Sequence, residues 1–415
     1  LPVDNDYDNS ISIHLWCEQK INVLQAKHLY RSRRIINEPH NIHRNFSTND
    51  YLAFAYQSNQ QHRAAEITQA YQRYSWGSGA SALVSGYQAI HQHLEIEIAK
   101  FMQFPAALYL GSGFSANHGV LTTLINKNDS VLSDRLNHAS LIDGIQHSGA
   151  RMYRYRHLDC ADLAETLAKA AQVNQAKQTP GRLWIVTDGV FSMDGDWAPL
   201  QKIAQLAKQY NAALMVDDAH GFGVIGQAGQ GIIHACGLTT ADIDLLVVTC
   251  GKAMGTYGAF VLSQAATIDY LVQKMRHYVY STAMPPVIAA ITLASLRSIQ
   301  DSKQQREHLK SLSLQLRANL HRLAEEFNLL DQQVWLNGNV NEWHPVQAFI
   351  LGDNQLMLTI AENLRSQGFQ IGAIRPPTVP EGTARLRLSL TAKHQLTDIE
   401  SLTNALQISL KAHIS

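Results

Sequence analysis

Lys252 lies in Thr249-Cys250-Gly251-Lys252-Ala253-Met254-Gly255, directly after an apolar run from Leu245 to Val248. One strand-like run earlier, Leu214-Met215-Val216 leads into Asp217-Asp218-Ala219-His220. An amine, a carboxylate and an imidazole thus gather where strands end, which is where open α/β sheets build their sites. Small and apolar neighbours from Val247 to Gly258 imply a poorly solvated lysine. Desolvation lowers an amine's pKa from ~10.4, which makes it a nucleophile toward carbonyls and then a proton acceptor.

These groups match the needs of pyridoxal 5'-phosphate, which takes an amine at its aldehyde and an acid opposite its ring nitrogen. Asp217 at a strand terminus suits the second role. His220 either touches the cofactor's phenolic oxygen or sits in the first turn of a helix capped by Asp218. Ser112-Gly113-Phe114 precedes a helix expected from Ala116 to Leu124, whose first N–H groups suit a phosphate, although an ordinary tight turn has the same composition. Thr249 adds a hydroxyl contact or fills the core. His138, in Asp134-Arg135-Leu136-Asn137-His138, stacks on a ring or is a satisfied surface histidine. Ser192 approaches the ring or caps the Asx-rich turn of Phe191 to Asp196. Arg375, followed by Pro376, Pro377 and Pro380, is placed stiffly enough for bidentate capture of a carboxylate, whereas Arg385 and Arg387 share one strand face and equally suit structural ion pairs. Cys250 beside the lysine reads as a small buried filler.

The elements that must hold these residues alternate. Strands are expected at Ala106 to Leu110, Ser130 to Leu132, Leu183 to Thr187, Ala213 to Val216, Leu245 to Val248 and Ala259 to Leu262. Helices at Leu163 to Gln172 and Pro199 to Tyr210 lie between them, with Pro199 in a first turn. The result is an α/β fold, a mostly parallel central sheet with helices on both faces. After Pro285-Pro286 a helical zone from Val287 to about Phe327 leads to a smaller α+β domain with strands Val346 to Leu351 and Arg385 to Ser389 and helices Leu356 to Gln367 and Leu396 to Leu410. The expected division is residues 1–60 as a leader, irregular from Pro39 to Asn49, then 61–300 as the large domain and 301–415 as the small one.

A chain of 415 residues with 46% hydrophobic and 8% aromatic residues has ordinary globular composition. The 34 basic residues balance the 34 acidic ones, so bulk charge gives no reason to expect a nucleic acid partner. Arg31-Ser32-Arg33-Arg34 is the compact basic run, meeting a phosphorylated substrate tail or facing solvent. Cys17, Cys160, Cys236 and Cys250 form no CxxC pair, which points to reduced thiols in the cytoplasm, and no metal is expected. The first residues lack the basic start and apolar core of a signal peptide, and no apolar run reaches about 18 residues, so a membrane span is not expected.

Taken in order, the motifs resemble the α-oxoamine synthase family of fold-type I pyridoxal phosphate enzymes, from about Asn49 to His394. The marks include Ser47-Thr48-Asn49-Asp50-Tyr51-Leu52, Gly77-Ser78-Gly79 with Val84-Ser85-Gly86, Leu136-Asn137-His138-Ala139-Ser140, Asp217-Asp218-Ala219-His220-Gly221, Thr249-Cys250-Gly251-Lys252 and Tyr280-Ser281-Thr282-Ala283-Met284-Pro285-Pro286. The resemblance implies that Lys252 carries the cofactor as a Schiff base, Asp217 partners the pyridine nitrogen, His138 stacks on the ring, and Ser192 and His220 lie near the phenolic oxygen. It implies phosphate contacts from Ser112, Gly113, Phe114 and Thr249, with Ser281 and Thr282 reaching in from a neighbouring subunit, hence a homodimer with shared sites. Asn49 and Arg375 match substrate-contacting positions, and Arg31 and Thr378 join them on the substrate side. Ile374 to Arg387 resembles the biotin-pathway branch more than its relatives, which implies L-alanine and a pimeloyl thioester, on coenzyme A or acyl carrier protein, as substrates. Glycine C-acetyltransferase chemistry, an aminotransferase and a non-catalytic binding protein are the competing readings. Ala53 stands where the family commonly has glycine, and Gln230 where it commonly has arginine.

Overall fold

The computed structural model describes residues 11–36, 42–55, 61–333 and 342–414. The expected absence of a signal peptide at the first residues, and the start of the irregular stretch at Pro39, fall outside them. The strands are β1 (Asn45–Phe46), β2 (Ala106–Leu110), β3 (Ser130–Asp134), β4 (Arg151–Tyr155), β5 (Leu183–Asp188) and β6 (Ala213–Asp217). They continue as β7 (Leu245–Thr249), β8 (Ala259–Ser263), β9 (Val346–Gly352), β10 (Gln370–Ile374) and β11 (Ala384–Ser389).

Two compact units share these elements. The larger runs from Asn49 to Ser311 and takes in residues 342–345 among those described. Its sheet has the order β2-β8-β7-β6-β5-β3-β4, with β8 alone antiparallel to its neighbours. Every residue of β3, β5, β7 and β8 is buried, as strands covered on both faces must be, and this explains the apolar residues at their centres. Register aligns the strand ends: Asp188 pairs with Asp217 across β5 and β6, and Asp217 with Val247 across β6 and β7. Chemistry-bearing residues therefore emerge side by side at one edge.

Sequence patterning did not announce β4. Its Arg151, Met152, Tyr153 and Arg154 are exposed or half-buried at the sheet edge, so no apolar run marks it. The helix expected from Pro199 begins at Leu200 with Pro199 as its N-cap, and the helical zone after Pro286 is two helices, Pro286–Asp301 and Lys303–Glu326.

The smaller unit joins the described residues up to Thr48 with those of 312–333 and 346–414. Its sheet, β1-β10-β11-β9, pairs β1 parallel to β10 and the rest antiparallel, with helix Asn354–Ser366 packed beside it and helix Leu396–His413 packed on that helix. The expected 1–60 leader is therefore divided: Asn45 and Phe46 are a strand of the smaller sheet, while Asn49 onward belongs to the larger unit. Backbone pairing with a segment more than 300 residues away, which local composition does not encode, sets that assignment.

Candidate active site

A cavity of about 270 Å³ opens at the carboxyl ends of the larger sheet. Asn49, Ser112, Gly113, Phe114, His138, Asp217, His220, Thr249 and Lys252 all line it. Nine residues singled out from sequence are thus brought together from five separate stretches of chain.

Lys252 follows β7 in a tight turn in which its carbonyl accepts from Gly255 N at 2.8 Å. It is half-buried between the buried Cys250, Ala253 and Met254. Burial raises the Cys250 thiol's pKa well above its usual range, as suits a filler with no thiolate role. Asp217, 4% exposed, accepts from Ala219 N at 2.9 Å through Oδ1 and from Asn117 Nδ2 at 2.5 Å through Oδ2. Asp188, on the next strand, accepts from His138 N at 2.7 Å. Burial, followed by the charge of Asp217, holds the Asp188 carboxyl well above the usual carboxylate range.

His138 caps helix Ala139–Ser148, its Nδ1 facing Ser140 Oγ at 2.7 Å. Its ring opens into the cavity, yet protein atoms crowd it enough to lower its pKa; Asp217 opposes that shift and Lys252 adds to it. Ser112 caps helix Gly113–Leu124 by accepting from Ser115 N at 3.1 Å, which leaves the first N–H groups of that helix at the cavity wall. A Cβ on Gly113 would lie 2.6 Å from Thr249 Cγ2, so glycine is what allows the helix start and the end of β7 to close into a cradle. His220 Nδ1 is 2.7 Å from the hydroxyl of buried Tyr51, and its carbonyl accepts from His344 Nε2 at 3.0 Å. Asp218 accepts from Gly221 N and Ile232 N, so it caps a turn there and His220 is free of any α-helix.

Ser192, Ser281 and Thr282 are not among the residues lining this cavity. Ser281 and Thr282 line a second cavity of about 90 Å³ with Tyr87, His91 and Glu95. Burial raises Glu95 to about 7, against bonds from Tyr87 Oη and Tyr109 N. Arg31, Arg375 and Thr378 belong to the smaller unit, where Arg31 Nη2 donates to Thr378 Oγ1 at 2.8 Å and Arg375 donates to the Tyr30 carbonyl. Gln230 donates to the Phe101 carbonyl at 2.9 Å, a neutral contact where an arginine would bring charge.

Sequence reasoning assigned no role to Asn117, Ser140, Asp188 or Tyr51, all of which touch site residues. A signal existed for Asn117: it lies at the start of the expected helix Ala116 to Leu124, and the observed helix, which begins at Gly113, puts Asn117 on the same face as Gly113.

The family model for aminotransferase class I and II matches residues 42–406. The 8-amino-7-oxononanoate synthase of Saccharophagus degradans is 42% identical, covering 95% of this chain and 96% of that protein, and that of Methylococcus capsulatus is 43% identical over 92% and 95%. The chain belongs to the α-oxoamine synthase family of fold-type I pyridoxal phosphate enzymes. Among solved structures, a serine palmitoyltransferase from S. paucimobilis superposes with a TM-score of 0.84 at 26% identity, covering 96% of this chain and 97% of that one. An 8-amino-7-oxononanoate synthase from Francisella tularensis gives 0.70 at 29% identity, covering 89% and 98%. The chemistry of this α-oxoamine synthase is decarboxylative condensation of an amino acid with an acyl donor, an acyltransferase reaction.

Proposed function

We propose that this α-oxoamine synthase condenses L-alanine with a pimeloyl thioester, on coenzyme A or acyl carrier protein, to give 8-amino-7-oxononanoate, carbon dioxide and the free thiol in the cytoplasm. The observation that carries the proposal is the convergence of an amine, a carboxylate and an imidazole on one cavity whose wall includes a helix N-terminus. Near full-length identity above 40% to 8-amino-7-oxononanoate synthases supports the choice of substrates.

That donor set fits pyridoxal 5'-phosphate. Gly113 and Phe114 N–H groups with the Ser112 and Thr249 hydroxyls would hold its phosphate, Lys252 its aldehyde, Asp217 its ring nitrogen and His138 its ring face, with Ser192 and His220 near its phenolic oxygen. When bound, the cofactor supplies an electron sink for a carbanion at the amino acid's Cα. Asp217 keeps a proton on the ring nitrogen, which sustains that sink. Lys252 Nζ would take the Cα proton and, after carbon dioxide leaves, return one. His220, its Nδ1 beside the Tyr51 hydroxyl, would meet a carbonyl or carboxylate oxygen of the substrate. Asn49 serves the substrate, and Arg375, Arg31 and Thr378 bind its carboxylates and the acyl donor. Ser281 and Thr282 complete the phosphate site of the partner in a homodimer.

The test is near-ultraviolet and visible absorbance of purified protein before and after L-alanine and then pimeloyl-CoA, with carbon dioxide release followed in parallel and Lys252→Ala as control. An alanine-dependent spectral change with stoichiometric carbon dioxide supports the proposal. Turnover only with L-serine and a long-chain acyl-CoA, or only with glycine and acetyl-CoA, moves the chain to another branch. Pyridoxamine formation in place of condensation sinks the proposal.

A further inference from the structure

Two side chains of the proposed cofactor site, Asp217 and His138, are tied together by Asn117 and Ser140. Asn117 Nδ2 carries two hydrogens and spends both, one on Asp217 Oδ2 at 2.5 Å and one on Ser140 Oγ at 2.9 Å. The orientation of the amide follows from Asp217, which accepts at both oxygens; turning Oδ1 toward it would oppose two acceptors. Ser140 Oγ therefore accepts from Asn117, and its own proton goes to His138 Nδ1, 2.7 Å away. The backbone N–H of Ser140, which can only donate, faces the same nitrogen at 3.3 Å. Both contacts make Nδ1 an acceptor.

We propose that Asn117 and Ser140 are positioning residues whose directed chain of hydrogen bonds, from amide to carboxylate on one side and through hydroxyl to imidazole on the other, holds His138 as the neutral Nε2–H tautomer. A neutral ring can lie face to face with a protonated pyridine ring, whereas an imidazolium would set two like charges against each other. The charged and titratable groups that act on His138 are Asp217, Lys252 and Asp143, and Asp188 holds its backbone N–H. The ring-stacking role rests on the proposed function; the tautomer does not.

The experiment is magnetic resonance of the full chain labelled at histidine nitrogens, with and without pyridoxal phosphate, the His138 signal being assigned with His138→Gln. The wild-type protein should show a bare Nδ1 and a protonated Nε2. Ser140→Ala leaves only the backbone contact, and the His138 pKa should rise by about one pH unit, the size of one net hydrogen bond. Asn117→Asp presents an acceptor oxygen to Ser140, turns its hydroxyl away, and should produce a population protonated at Nδ1. A proton on Nδ1 in the wild type, or a His138 signal unmoved by either variant, overturns the proposal. Expected signals without any cofactor-dependent absorbance would leave the network standing and remove the functional reading. An active enzyme with Nδ1–H would remove the network alone.

Discussion

Replacing Lys252 with alanine takes away the proposed cofactor anchor and proton carrier, so condensation should fall by about 1000-fold or more together with the cofactor's visible band. Asp217→Asn keeps shape but not charge, and should lower kcat on the order of 100-fold with a smaller change in KM, since its proposed bond to the ring nitrogen would strengthen as charge enters the ring. A third residue-scale expectation concerns His157, which bridges Asp134 and Asp196 at 2.9 Å each. Burial alone would lower its pKa, but the bonds to the two carboxylates outweigh burial and raise it from 6.5 to about 10. The folded state thus keeps a proton that the unfolded chain releases near 6.5, so this stabilisation is fully present below that pH and is lost as pH rises through about 10. In denaturant unfolding, His157→Gln should cost about 2 kcal/mol or more at about pH 6 and little at about pH 10. Equal losses at both pH values would refute the bridge's electrostatic role.

At the scale of elements, the turn after Asn49 is wound by the Asp50 carboxylate, which accepts from Phe54 N and Ala55 N, and it holds Ala53 at a φ of 57°. A side chain is strained there, which is the physical reason glycine would suit this place better. Ala53→Gly should therefore raise unfolding free energy by about 1 kcal/mol without altering kcat, measured by urea titration of the two proteins side by side. Gly113→Ala should do the reverse at the cradle, its new Cβ pressing on Thr249 and weakening cofactor retention, read as pyridoxal phosphate lost on dialysis. The buried central strands were legible because both faces demand apolar residues. Edge strand β4 and strand β10, whose Gln370, Gly372, Ala373 and Ile374 are only half-buried, carried no such signal.

For the whole molecule, Trp76 at 78%, Val84 at 79%, Tyr257 at 60% and Tyr280 at 73% exposed are large apolar side chains left open on one chain. The proposed homodimer would have to cover some of this surface. Mixing an inactive Lys252→Ala protein with an inactive Ser281→Ala, Thr282→Ala double variant should restore about a quarter of wild-type activity if each site draws on both chains, and none if sites are self-contained. The amino-acid sequence by itself was enough to expect the proposed chemical groups at one end of the sheet, because Lys252, Asp217, His138, His220, Ser112, Gly113 and Thr249 each follow a strand or open a helix, and strand ends of an α/β sheet converge whatever the details of packing. Only the tertiary structure decided that Asp188 stands beside Asp217, that Asn117 and Ser140 join Asp217 to His138, that Tyr51 meets His220, and that β1 completes the smaller sheet. These are pairings between residues tens to hundreds of positions apart, fixed by strand register and by the need of buried polar groups for partners, and no local pattern records them.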